Sequence, residues 1–150
     1  MKKLYLFGIF ALCLILSGCG EKKLMCSYSS TNSFYGSDSV LTKYYFKKDG
    51  TVDKYSINEK MTFNDAYLKS INSTMDDQFN SAKEYCSSIP ESKNISCNVT
   101  KTKNSITVVI DYKLSKMTQE EIDALQLTDY VNSKSDDIKT QYEAQGFTCK

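Results

Sequence analysis

Six cysteines, eighteen carboxylates and eleven tyrosines are the residues that could do chemistry in this chain of 150, which has no histidine and no tryptophan. Without histidine the commonest general base and the commonest zinc ligand are both missing. A serine nucleophile would then need lysine as its base, and the sequence offers no Ser-x-x-Lys spacing. Three adjacent carboxylate pairs stand out, Asp76-Asp77, Glu120-Glu121 and Asp136-Asp137. Neighbours on a helix point about 100° apart, so these pairs are expected to be solvated helix faces rather than an acid/base dyad. EF-hand, P-loop and GxSxG patterns are absent too. The sequence therefore names no catalytic residue and no cofactor, and it reads as a non-enzymatic chain.

The cysteines divide by position. Lys2 and Lys3 precede an apolar run from Leu4 to Leu16, and Leu16-Ser17-Gly18-Cys19 follows at once. That run is too short to cross roughly 30 Å of hydrocarbon comfortably but suits the apolar stretch of an export signal. The order of charge, apolar run and small residues before a cysteine looks like a bacterial lipobox. It implies a signal peptide over 1–18, cleavage before Cys19 and a diacylglyceryl group on the Cys19 thiol. Two or more acyl chains hold a protein stably on a bilayer. Residues 19–23 are expected to form a short tether and 24–150 a single domain. Lys22 and Lys23 beside the lipid either attract anionic headgroups or simply solvate the linker.

Cys26, Cys86, Cys97 and Cys149 remain. An even number in an exported chain of this size points to two disulfides. Three pairings are possible. Cys86 and Cys97 flank a loop holding the only proline, Pro90, where a local bridge closes easily; Cys26 with Cys149 would then tie the start of the domain to its end. Neither a CxxC pair nor histidine is present to build a structural zinc site, so no metal is expected. Nucleic acid is an unsuitable partner as well. The net charge is only +1, with 19 basic residues, every one a lysine, whereas phosphate binding draws on a basic surplus and on bidentate arginine.

Period-2 and period-3.6 patterns set out the elements that hold these residues. Leu24–Ser30 reads as a strand, and Val40–Phe46 as a second with Val40, Thr42, Tyr44 and Phe46 on one face. Asp49-Gly50 signals a hairpin to a third strand over Thr51–Met61. Leu68, Ile71, Met75, Phe79, Ala82 and Cys86 form one helical stripe, with a start expected at Thr62 through a Thr62…Asp65 capping box. Ile95, Cys97 and Val99, then Ile106, Val108, Ile110, Tyr112 and Leu114, alternate as a second hairpin. Thr118…Glu121 is a capping box for a short helix. Another helix is expected over Ser135–Gln145, ended by Gly146, and Phe147–Lys150 adds an extended tail. The fold class is therefore α+β, an antiparallel sheet of about five strands with helices packed on one face (β-β-β-α-β-β-α). Tyr44, Tyr45, Tyr55 and Tyr112 fall on strands. Tyrosine on a strand either lines a ligand surface or fills the core, and core filling is favoured here.

The lipobox at Cys19, the segment Tyr44-Tyr45-Phe46-Lys47-Lys48-Asp49-Gly50, the strand Ile106–Tyr112 and the closing Gln145-Gly146-Phe147 together resemble the YehR-like small bacterial lipoproteins. Cysteines in both the first strand and the C-terminus, as at Cys26 and Cys149, are similar to one subgroup. The resemblance favours a Cys26–Cys149 bridge and leaves Cys86–Cys97 as an added local one. It implies the topology and the membrane address and carries no established activity. The resulting expectation is a lipid-anchored domain on the outer side of the cell membrane. Membrane lipid is its partner through Cys19, and an envelope protein, peptide or glycan is its ligand. A thiol-dependent envelope redox protein and a self-associating surface lipoprotein are the alternatives.

Overall fold

The computed structural model describes residues 22–150, so the signal peptide 1–18 and the lipidation at Cys19 lie outside the described residues. Three long strands come first: β1 Lys22–Asn32, β2 Gly36–Phe46 and β3 Val52–Phe63. They are joined as antiparallel neighbours. β1 starts two residues before the expected boundary at Leu24, with Lys22 opposite Phe46 and Lys23 opposite Tyr45. Lys22 and Lys23 of the expected tether thus belong to the sheet. The β2–β3 turn closes as the Asp-Gly signal requires. Gly50 takes φ +83°, its N–H donates to the Lys47 carbonyl at 3.0 Å, and the Thr51 hydroxyl donates to Asp49 at 2.6 Å. A register shift between Tyr45 and Phe46 brings Phe46 opposite Val52.

The helical stripe after β3 is two helices, not one. Helix α1 covers Asp65–Ser70 and α2 covers Met75–Ser88. Asn72 sits at φ +49° between them, a conformation that breaks a right-handed helix and that asparagine tolerates. The expected capping box at Thr62 does not form. Asn64 stands at the start of α1 without a side-chain cap, while Thr74 and Asp77 make the reciprocal box that opens α2. Ile71, expected on the buried stripe, is exposed at 44% because the break turns it outward.

Strands β4 Ile95–Lys101 and β5 Ser105–Tyr112 form the second hairpin. Helix α3 over Gln119–Ala124 has the expected Thr118…Glu121 box. A further short helix, α4 over Thr128–Asn132, was not anticipated; Gln126 at φ +55° separates it from α3. Helix α5 runs Ser135–Ala144 and gives way to Gly146 at φ +87°. The tail then adds a sixth strand, β6 Thr148–Cys149, which pairs with β1. The sheet has six antiparallel strands in the order β4-β5-β3-β2-β1-β6, one more than the five expected, and the class is α+β.

The alternation decides which face is buried. Leu24, Cys26, Thr42, Tyr44, Phe46, Val52, Tyr55, Ile106, Val108, Ile110 and Tyr112 are buried on the sheet face that the helices cover. Leu114, Ile122, Leu127 and Ile138 close the core from the helical layer. Each fully buried Leu or Ile contributes about 1.5–3 kcal/mol.

Candidate functional site

The four cysteines are paired, Cys26 with Cys149 and Cys86 with Cys97, at Cα separations of 4.1 and 5.5 Å. Cys26 and Cys149 are direct cross-strand partners. The neighbouring pair Met25 and Lys150 exchanges both backbone hydrogen bonds, at 2.9 and 2.8 Å. The Cys26–Cys149 pair therefore occupies the position where opposed side chains come closest. The second bridge joins the last turn of α2 to edge strand β4.

The carboxylate pairs do structural work. Asp77 belongs to the α2 capping box, and hydrogen bonding from Thr74 lowers its carboxyl below the usual range. Asp76 pairs with Lys101 across to β4. The Ser92 hydroxyl donates to Glu121 at 2.5 Å and the Thr118 N–H at 2.7 Å. These bonds hold the Glu121 carboxyl low, the serine contributing most. Asp136 and Asp137 sit exposed in the first turn of α5.

Three of the four tyrosines expected on strands are core. Tyr44, Tyr55 and Tyr112 are at most 8% exposed. Tyr44 stacks on Tyr55 at 4.6 Å between ring centroids, and Tyr55 on Tyr130 at 5.4 Å. Their hydroxyls converge on Tyr142 of α5, where Tyr44 donates at 2.9 Å and Tyr55 lies at 3.2 Å. Burial first, and the neighbouring phenols second, push Tyr44 and Tyr55 far above the ordinary tyrosine range. These hydroxyls lock the α5–sheet contact and stay protonated. Tyr45 points the other way, half-buried on the opposite face, with the Lys54 ammonium 5.9 Å from its ring.

That opposite face carries the surface best built to receive a ligand. Its residues alternate out of phase with the core, and among them only Ser105 is buried. The strand register aligns Ser27, Leu41, Asn58 and Val109 in one row and Ser29, Ser39, Lys60 and Thr107 in the next. A hollow of about 550 Å³ lies over the β1, β2 and β3 part of these rows, with Ser27, Ser29, Ser39, Asn58, Lys60 and Thr148 around it and Leu41 among its walls. Ligand sites commonly fall in the range of about 300–1,000 Å³. Hydroxyls, one amide and one ammonium around a mainly apolar floor suit a ligand with an apolar face and hydrogen-bonding edges. None of these residues was singled out from sequence. Their signal was present as the polar phase of the same alternation that identified the core.

No family model matches the sequence, and no curated protein matches it. A solved structure does: the NMR structure of a protein from Streptococcus pneumoniae TIGR4 superposes with a TM-score of 0.59 at 9% identity, covering 89% of this chain and 87% of that one. At that identity the likeness shows the fold alone.

Proposed function

We propose that the chain is an exported lipoprotein, anchored through Cys19 on the outer side of the cell membrane, whose domain binds a glycan or peptide without chemically altering it. The observation that carries the binding role is the hollow on the uncovered sheet face, a size-matched and mainly apolar surface edged by hydroxyls, an amide and an ammonium. Export is supported by the two disulfides, which persist in oxidising compartments, and by the lipobox-like Leu16-Ser17-Gly18-Cys19. The resemblance to YehR-like lipoproteins is part of the same proposal. Only Gly20 and Glu21 separate Cys19 from β1. Three residue steps reach about 10 Å at most, so the domain would work against the bilayer surface rather than at a distance from it.

Two measurements test this. Non-reducing peptide mapping by mass spectrometry, on protein from its own membrane, is expected to find lipid on Cys19 and both bridges closed. Free thiols at the four domain cysteines would instead favour thiol redox chemistry. A glycan and peptide array probed with the full chain and with Leu41→Arg is expected to show binding that the arginine abolishes by filling the hollow. Equal binding by both proteins, or none by either, would refute the assignment of the site.

A further inference from the structure

The end of the sheet opposite the Asp49-Gly50 turn carries a second and smaller concavity. The β1–β2 turn exposes Phe34 and Tyr35, at 55% and 40%. Tyr67 of α1 lies edge-on to both, at 5.7 and 6.3 Å, and parallel to Phe63 at 6.5 Å. The turn is held in place. The Asn32 side chain accepts from the Phe34 N–H at 2.8 Å. The Asn64 amide donates to the Ser33 and Phe34 carbonyls at 2.9 and 3.2 Å, and the Asn64 N–H donates to the Tyr35 carbonyl at 3.1 Å. Between the rings is a pocket of about 160 Å³ lined by Tyr35, Asp38, Met61, Phe63 and Tyr67.

Asp38 is the group in this pocket that calls for a partner. Its Oδ1 is buried and accepts no hydrogen bond, an arrangement that buried polar atoms rarely keep. Glu59 is on the same face two residues further along the sheet, because Asp38 pairs with Met61 and Glu59 with Val40. Burial, and then the Asp38 charge, push the Glu59 carboxyl up. Among the described residues neither carboxylate has an ion pair. The pocket itself joins the Asp38 carboxylate to three aromatic walls, and aromatic faces attract cations. Its volume is below that of whole-ligand sites, so it takes a side-chain-sized group. The Asp38 carboxylate that lines the pocket accepts no hydrogen bond from the described residues, so an N–H that enters the pocket is matched by it. A primary ammonium has three to donate, and a lysine stem packs readily along apolar surface.

We infer that this pocket binds a primary alkylammonium group, specifically the lysine side chain of a partner protein or peptide, with Asp38 accepting its hydrogen bond and Tyr35, Phe63 and Tyr67 enclosing its stem. The site is separate from the hollow on the opposite face, and the inference does not depend on the function proposed for that hollow.

Calorimetric titration of the full chain in detergent micelles, near neutral pH and at low salt, tests it with four probes. Nα-acetyl-lysine methylamide is expected to bind at least tenfold more tightly than its uncharged analogue Nα-acetyl-norleucine methylamide, and more tightly than tetramethylammonium or glucosamine. Asp38→Asn, of the same shape, should abolish the preference for lysine. Tyr35→Ala, at an exposed position, should weaken lysine binding about threefold, and Leu41→Arg should leave it unchanged. Equal binding of the lysine and norleucine probes overturns the inference, as does a full preference retained by Asp38→Asn. Tetramethylammonium binding as tightly as lysine would show that the rings act without a hydrogen-bond acceptor. Glucosamine binding as tightly would remove the lysine side chain as the source.

Discussion

The two disulfides close loops of very different size, and this difference sets their relative worth. Cys26 and Cys149 are 123 residues apart, Cys86 and Cys97 only 11. In the chain-entropy relation the first removes about 16 cal/mol/K from the unfolded ensemble and the second about 9, or about 5 and about 3 kcal/mol at 25 °C. Replacing each pair by alanine in separate double variants should therefore cost about 2 kcal/mol more at the long bridge. Cys26 is fully buried, whereas Cys86, Cys97 and Cys149 are half-buried, so the lost side-chain packing widens the gap. With an m-value of about 2 kcal/mol/M, urea midpoints should fall by about 2.5 M for Cys26→Ala/Cys149→Ala and about 1.4 M for Cys86→Ala/Cys97→Ala. The m-value should rise most in the first variant, whose unfolded chain gains the most freedom to expand. Tyrosine fluorescence against urea, with far-UV circular dichroism as the second probe, measures both quantities. Equal losses, or a larger loss at the short bridge, would refute the reasoning and place the stabilisation in native-state contacts around Cys86 and Cys97.

Three further outcomes follow from contacts in the core and the turns. Tyr142→Phe should cost about 1–3 kcal/mol, because it strands the buried Tyr44 hydroxyl without its acceptor; Tyr44→Phe should cost less, since it removes that hydroxyl and the half-buried Tyr142 keeps other partners. Glu59 has a raised carboxyl, so the folded state holds its proton more tightly than the unfolded chain does. Stability should consequently decline as pH climbs from the ordinary glutamate value through the raised one, and Glu59→Gln should flatten that decline in denaturation curves taken across the window. At Gly36, φ is +122° and a Cβ would stand 1.9 Å from the Thr62 carbonyl oxygen; Gly36→Ala should lower stability by about 1–3 kcal/mol in the same urea assay.

The strands were legible because alternation is local information. Ile106, Val108, Ile110 and Tyr112 are apolar at every second position, and all four are buried. Asp49-Gly50 and Thr118…Glu121 were legible for a similar reason, since turn and cap chemistry acts over two to four residues. The break between α1 and α2 was missed because the spacing from Leu68 to Cys86 continues smoothly through it. Periodicity reports which residues turn inward, not whether the backbone between them is continuous. The competing signal was Thr74 three residues before Asp77, a second capping box inside the stripe. Helix α4 was missed because its five residues are too few to show a period. The ammonium pocket was out of reach altogether. Tyr35 and Asp38 come from one segment and Met61 and Tyr67 from another more than twenty residues on, and only the antiparallel register and the position of α1 bring them together.

The Cys26–Cys149 bridge also decides how the molecule would carry tension. Under the proposed anchorage, a pull from the bilayer enters at Lys22 and runs lengthwise along β1. A partner gripped at the far aromatic end would hold the other end of the same strand, so the covalent backbone of β1 carries the load and its eleven pairs with β2 are not peeled apart. A pull on Lys150 takes another route. The shortest covalent path from that residue to the lipid crosses from Cys149 directly to Cys26 and returns along the start of β1, so the load bypasses β2 to β5 and every helix. The molecule behaves as a loop knotted at its own base, extensible from the side but not from its two ends.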